Sequence, residues 1–302
     1  MKVLVTGSKG TLGAPLVGEL KRRGSEVWGL DIQHHPDANY VRADISHYRQ
    51  LERIFEIGFD YVYHLAAEFG RLNSDDYYES VWTTNVIGTR NILELQKKLG
   101  FKMIFASSSE IYGENNGDIL HEGLSLQKPP VFQNEYAMTK WINEAQIIEM
   151  ERRYNTKTVR CRFFNAYGPG EYYHRYRSVV CLFCYSALKD IPYQVYEGYS
   201  RPFMYIDDFI PTLANVMDNF KPGEVYNIAG TEIRTVEELS DIVLRCAGRD
   251  DSIVKYIPED KHNVISKHPD ITKARRDLKH NTTVRLEEGV PATLEWMKSI
   301  YK

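Results

Sequence analysis

The chain has 302 residues, enough for one large domain or two closely packed ones at ~150 residues per domain. Its 43% hydrophobic and 26% charged residues exclude a disordered tail, a collagen-like fibre and a disulfide-stapled miniprotein. With 38 basic against 41 acidic residues the formal charge is −3, which supplies no footprint for nucleic acid or an anionic membrane, so any anionic ligand must be held by a local site.

No run approaches the ~20 apolar residues of a bilayer-spanning helix, and no leader pattern precedes the first glycine cluster, so the expected location is cytoplasmic. Four cysteines, Cys161, Cys181, Cys184 and Cys246, are too few and too unevenly placed for a disulfide framework. Cys181 and Cys184 form a C-x-x-C within the apolar stretch Val179–Cys184 and read as two small buried hydrophobes on one helix face. The histidines lack the spacing of a metal site, and none is expected.

In chain order, Lys2–Thr6 is a short β-branched run broken by Gly7, after which Leu12, Leu16, Val17 and Leu20 recur at helical spacing up to Gly24. Strands are predicted at 26–30, 61–65, 103–106 and 158–164, and helices at 48–57, 81–99 and 135–154. Strands alternating with helices imply right-handed crossovers and a parallel sheet covered on both faces. Beyond about Gly168 the segments become irregular and rich in Tyr, Arg and Pro, with helical periodicity returning at 207–219, 236–246 and 287–297. The fold class is α/β: a Rossmann-type doubly wound parallel sheet over residues 1–167, to which segments near 200–230 return. Residues 168–302 mainly form a smaller α/β substrate-binding domain.

Gly7-Ser8-Lys9-Gly10-Thr11-Leu12-Gly13 joins the first strand to the first helix. The three glycines permit a tight turn, close backbone approach to a pyrophosphate, and close helix packing, while free helix N–H groups face the phosphates. Asp31, ending the second strand, can accept both hydroxyls of an adenosine ribose and would repel a 2′-phosphate, which favours NAD over NADP. Tyr136 and Lys140 lie four apart on one helix face. A phenol of pKa ~10 is a poor base at neutrality, and a nearby cation together with the positive nicotinamide ring makes it a usable one. Ser107, Ser108, Ser109 and Glu110 follow at the carboxyl edge of the fifth strand, where side chains reach the cleft.

These features resemble an extended short-chain dehydrogenase/reductase of the nucleotide-sugar epimerase and dehydratase family. The resemblance runs over nearly the whole chain. It includes the glycine turn, Asp31, Asp44-Ile45, His64-Leu65-Ala66-Ala67-Glu68, Thr84-Asn85-x-x-Gly88-Thr89, and Ser107–Glu110 with Ile111-Tyr112-Gly113. It continues through Tyr136-x-x-x-Lys140, Arg162–Gly170, Arg201-x-Phe203-x-Tyr205-Ile206-Asp207-Asp208 and Tyr226-Asn227-Ile228.

The resemblance implies NAD as cofactor, held by Gly7, Gly10, Thr11, Leu12, Gly13 and Asp31. Asp44 and Ile45 would border the adenine, Leu65, Ala66 and Ala67 the phosphates and ribose, and Asn85 the nicotinamide side. Tyr136 would be the base, Lys140 would hold the nicotinamide ribose, and Ser108 would hydrogen-bond the reacting sugar oxygen. Glu68, Ser109, Asn165 and Arg201 would face the substrate, the last two at its diphosphate. Each has a plainer alternative: Asp44 as a cap, Asn85 as a strand-end pin, Asn165 as an Asx-turn, Arg201 as a surface ion-pair partner.

The implied chemistry is oxidation of a sugar at C4 to a ketone. Glu110 favours 4,6-dehydration next, because a carboxylate there would abstract the proton beside the ketone; Glu68 after the alanines points the same way. A 4-epimerase is the alternative, with a UDP-glucuronate decarboxylase, a stoichiometric reductase or a non-catalytic dinucleotide-binding module behind it. Three places depart from the family pattern: Ser109 replaces an Asp, Gln133-Asn134-Glu135 replaces a Ser-Pro before Tyr136, and Pro202 replaces an Asp. Glu110 could instead cap the turn before Tyr112. In 172–177, Arg175 and Arg177 alternate with tyrosines, fitting either a nucleotide clamp or a loop over a domain edge. Helices 81–99 and 135–154 resemble those of a family homodimer.

Overall fold

A computed structural model describes residues 1–115, 117–258 and 263–301. The first half alternates strand and helix: β1 (Lys2–Thr6), α1 (Gly13–Arg22), β2 (Glu26–Asp31), β3 (Tyr40–Arg42), α2 (Tyr48–Phe55), β4 (Tyr61–His64), α3 (Arg71–Asp76), α4 (Tyr78–Trp82), α5 (Gly88–Leu99), β5 (Lys102–Ser108), β6 (Ile119–Leu120), α6 (Leu124–Gln127), α7 (Glu135–Tyr154) and β7 (Lys157–Phe163). The second half carries α8 (Val179–Lys189), α9 (Ile206–Asp218), α10 (Val236–Ala247), α11 (Thr272–Leu278) and α12 (Leu286–Ile300), with short strands between them.

β-branched and aromatic runs buried on both faces give a seven-stranded sheet in which β3, β2, β1, β4, β5, β7 and Val225–Ile228 follow one another, every pair parallel. This is the Rossmann-type order, and its direction reverses between β1 and β4, which opens a crevice at their carboxyl ends. One face of the sheet packs Leu4, Val62, Met103 and Phe105 against Leu51, Ile92 and Ile147 of α2, α5 and α7. The other packs Val3, Val5, Tyr63 and Val159 against α1 and α9 in a core continuous with α8, α10 and α12. Each fully buried Leu or Ile there contributes about 1.5–3 kcal/mol.

The chain beyond residue 168 does not stay in the second lobe. Val225–Ile228 adds the outer strand beside β7, and α9 lies against α1, where Arg23 donates to Asn215 at 2.8 Å and to Asp218 at 2.9 Å. The helix expected over 81–99 is interrupted: Thr83–Ile87 forms a π-helical turn between α4 and α5. Its extra residue turns Asn85 inward to 1% exposure, a local widening that apolar periodicity does not reveal. Cys181 and Cys184 are buried on α8 as small apolar groups, and burial pushes both thiols up. Among the described residues no helix is long and apolar enough to cross a membrane.

Candidate functional site

The crevice is built first by the turn after β1. Gly7 has φ +70°, and a Cβ on it would approach the Ala66 backbone nitrogen at 2.8 Å; a Cβ on Gly13 would collide with the Gly7 carbonyl oxygen. The turn can therefore form only from glycine at both positions, which leaves bare backbone at the mouth of α1. α1 has no side-chain cap, so its positive end is open to an anion. Thr11 and Leu12 line this mouth, half-buried, with Leu12 resting on the core. The Thr6 hydroxyl bonds His64 Nδ1 at 2.8 Å and accepts from the Ala66 N–H at 3.1 Å. His64 also meets Thr89, and burial aided by Lys140 lowers its pKa to about 3, so it is a neutral strut between strands.

Asp31 ends β2, with one carboxylate oxygen on the Lys9 N–H at 2.9 Å and the other on the Gln33 N–H at 3.2 Å. Both oxygens keep lone pairs, so an acid that accepts further hydroxyls stands beside the bare turn. That donor set fits an adenosine dinucleotide. Asp44 does not cap α2, whose N-cap is His47; it closes an Asx turn, accepting from the Ser46 N–H and hydroxyl at 2.8 Å each. Ile45 is buried, and a Cβ on Gly88 would lie 2.6 Å from its Cδ1. Leu65, Ala66 and Ala67 leave β4 half-buried. Asn85 pins this stretch: its Oδ1 accepts from the Glu68 N–H, and its Nδ2 donates to the Glu68 carbonyl, both at 2.9 Å, and to Thr139 at 3.1 Å.

The reactive centre is set by α7. Asn134 caps it, its Oδ1 accepting from the Ala137 N–H at 2.8 Å, so Tyr136 falls in the first turn and Lys140 one turn later on the same face. Lys140 Nζ donates to the Ala106 carbonyl at 2.7 Å and stands 5.7 Å from the Tyr136 ring centroid. In the chain alone, burial raises the pKa of the Tyr136 phenol, the nearby Ser108 hydroxyl opposes this only in part, and Glu110 adds to the rise. Burial also lowers Lys140 to about 7. The activation expected from the Tyr–Lys pair is therefore not complete in these residues by themselves; it needs the added positive ring of the dinucleotide.

Glu110 does not cap its own turn; the Ser108 hydroxyl does that, accepting from the Glu110 N–H at 3.2 Å. The Glu110 carboxylate pairs with Lys267 through Oε1 and meets Asn134 Nδ2 at 3.4 Å through Oε2. Burial pushes Glu110 up, yet Lys267, Arg201 and Asn134 together hold it below the usual carboxylate range. Ser109 Oγ accepts from Lys267 at 3.1 Å. Arg201 is a buried residue rather than a surface partner, donating to the Ser200 and Ile265 carbonyls and to Asn263. The Asn165 Oδ1 atom is buried without a hydrogen-bond partner, which leaves an acceptor or, after an amide flip, a donor for a ligand.

Glu68 is held by Asn73 at 2.8 Å and Ser80 at 3.3 Å. Arg175 and Arg177 are not gathered with this centre: Arg175 pairs with Asp76 at 2.6 Å and Arg177 lies 4.8 Å from the Phe69 ring, so segment 172–177 meets the edge of the first lobe at residues 69–77. Lys267 and Asn134 escaped the sequence analysis. Asn134 was visible as a departure before Tyr136, whereas Lys267, 157 residues from Glu110, carries no local signal.

Comparisons with known proteins agree with this fold. The chain is 26% identical over 317 residues to the UDP-N-acetyl-alpha-D-glucosaminuronate decarboxylase of Bacillus cytotoxicus, covering 99% of this chain and 98% of that one. It is 27% identical over 322 residues to the dTDP-glucose 4,6-dehydratase of Streptomyces niveus, covering 99% and 93%. Among solved structures, UDP-glucuronic acid 4-epimerase from Bacillus cereus, in complex with UDP-glucuronic acid and NAD, superposes with a TM-score of 0.89 at 26% identity, covering 100% of both chains. Residues 3–229 match the NAD dependent epimerase/dehydratase family, an extended short-chain dehydrogenase/reductase group. The chain belongs to that NAD-dependent family.

Proposed function

We propose that the protein oxidises a nucleotide-activated hexose at C4 and then eliminates water across C5 and C6, as a 4,6-dehydratase. The observation that carries this reading is Glu110, an ionised carboxylate placed within electrostatic reach of Tyr136 and backed by Lys267. Ser108 orients the C4 hydroxyl and Tyr136 takes its proton, with Lys140 stabilising the phenolate. NAD, when bound, takes up the C4 hydride and later returns it. Once C4 is a ketone the C5–H bond is acidic; Glu110 accepts that proton and gives it to the departing C6 hydroxyl, which leaves as water, after which the hydride is returned at C6 and the proton held by Tyr136 at C5. Asn165 and Arg201 hold the diphosphate. A homodimer belongs to the same reading, since α7 presents the half-exposed Trp141 and Ile148 outward.

A second reading has one observation of its own. Lys267 and Arg201, with the Ser109 hydroxyl, put two buried cations behind Glu110, and their charge would also favour the C6 carboxylate of a nucleotide-linked uronic acid. A 4-keto uronic acid is a β-keto acid and loses carbon dioxide readily. Incubation with UDP-, GDP-, dTDP- and CDP-linked hexoses and uronic acids separates the outcomes: a 4-keto-6-deoxy sugar supports dehydration, carbon dioxide release supports decarboxylation, and a C4 epimer overturns both. If every sugar nucleotide is recovered unchanged with NAD bound, the enzymatic reading fails.

A further inference from the structure

We propose that Lys267 is a positioning residue for Glu110, delivered by a strap of the second lobe, so that the base of the second chemical step is assembled only where the two lobes meet. This rests on the reading of Glu110 as that base.

The strap is fastened on both sides of Lys267. On one side Asn263 accepts from Arg201 Nη2 at 2.8 Å, and the Ile265 carbonyl accepts from the Ser200 N–H at 2.9 Å and from Arg201 Nη1 at 3.0 Å. On that side too the Ser266 carbonyl accepts from Asn115 at 3.3 Å, and on the other His268–Pro269 pair in parallel with β6. Its backbone being held at both ends, the ammonium has one place to go: between Ser109 Oγ and Glu110 Oε1.

The two partners are not equally exposed. The Lys267 side chain is 3% exposed and that of Glu110 is 29%, so the cation stands behind and the carboxylate faces the cleft. A pair kept only for stability has no need of that asymmetry. Among the described residues, the groups that bear on Glu110 are Lys267 from the strap, Arg201 from the strand Ser200–Pro202, the phenol of Tyr136 from α7, and the neutral Asn134. Lys267 in turn faces Glu110 and, less favourably, Arg201. Removing Lys267 leaves a partly buried carboxylate whose proton affinity must rise, by about 1–3 pH units for an opposite charge lost at contact distance.

The test uses the NAD-bound holoenzyme and its Lys267→Met, Lys267→Arg and Glu110→Gln variants. Should Lys267→Met not fold, Lys267→Gln, which keeps the chain length and a hydrogen bond, takes its place. Lys267→Met is expected to shift the acid limb of kcat/KM upward by about 1–3 pH units, and Lys267→Arg to restore it. In a Glu110→Gln background, Lys267→Met should cost no further rate. Independently of turnover, carbon-13 carboxyl NMR, with Glu110→Gln as the subtraction, should show the Glu110 titration moving upward in Lys267→Met. Coincident titrations in wild type and Lys267→Met, or an equal rate loss with and without Glu110, would overturn the inference. If the wild type converts no nucleotide sugar, the proposed function falls while the carboxyl titration still decides the role of Lys267.

Discussion

The crevice between β1 and β4 and the wall around Arg201 and Lys267 face the same cleft but are made of different material. The crevice is the carboxyl edge of long parallel strands. Thr6, Asp31, His64 and Ser108 each end a strand whose partners are set by ladder hydrogen bonds, and Tyr136 and Lys140 sit one turn apart on a 20-residue helix. The opposite wall uses pairings of two or three residues, such as Ser200–Pro202 with Ile233–Thr235 and His268–Pro269 with β6. Its side chains are placed by contacts across large sequence separations, among them Arg201 to Asn263 and Lys267 to Glu110.

The two are joined by a buried polar network. Arg162 on β7 donates to both oxygens of Glu144 at 3.0 and 2.8 Å, to Tyr112 at 2.9 Å and to the Glu122 carbonyl at 2.8 Å. Ser107 donates to Glu144 at 2.6 Å, and Tyr112 to Asn227 on the outer strand at 2.7 Å. Side-chain exposure is 3% at Arg162 and 6% at Glu144, so this pair is costly to break on one side alone.

Four variants sharpen the contrast. The largest effect is expected for Tyr136→Phe at the crevice: nucleotide-sugar turnover should fall by about 10²–10⁴-fold while dinucleotide binding, read by titration, persists. Second, Glu144→Gln should lower unfolding free energy by about 3–5 kcal/mol in a urea melt, because it leaves Arg162 buried without its counter-charge. Burial raises the Glu144 pKa, but Arg162, Arg160 and Ser107 carry it below its ordinary value. The stabilisation of the wild type over this variant is therefore present above pH ~4.3 and is lost as pH falls through the lower folded-state value.

Third, Lys140→Met should lower turnover, by less than Tyr136→Phe does, yet raise the unfolding temperature of the cofactor-free chain. Burial holds the Lys140 pKa near about 7 against an ordinary 10.5, so the folded state bears the cost of a buried charge below about pH 7. The gain, on the order of 2 kcal/mol, should be full there and fade as pH rises toward the ordinary lysine value. The smallest effect is expected for Asp76→Asn at the rim. Its pair with Arg175 is 49% and 63% exposed at the side chains, so the loss should be within about 1 kcal/mol in the same melt. A large loss there would mean that segment 172–177 bears weight its exposure does not suggest.

The glycine turn, Asp31 and the span of α7 were legible because each is a local rule: a φ that only glycine tolerates, an acid at a strand end, an apolar stripe ended by a left-handed Asn155. The π turn at Thr83–Ile87 was not legible, because it widens a helix without altering its apolar spacing, and Asn85 turns inward only through its bonds to Glu68 and Thr139. Glu110 was singled out from its place after Ser108, but its charge state was beyond reach, since the cation that sets it comes from the other lobe.

From the order of its residues alone this chain specified a parallel sheet, a glycine turn at the mouth of α1 and a phenol–ammonium pair, because each follows from neighbours within one strand–turn–helix unit or one helical turn. The tertiary structure alone decided that burial outweighs activation at Tyr136 and Lys140, that Asn165 keeps an unpartnered oxygen, and that Lys267 stands behind Glu110. Those are matters of desolvation and of charge at contact distance, and neither exists until segments far apart in the chain are packed together.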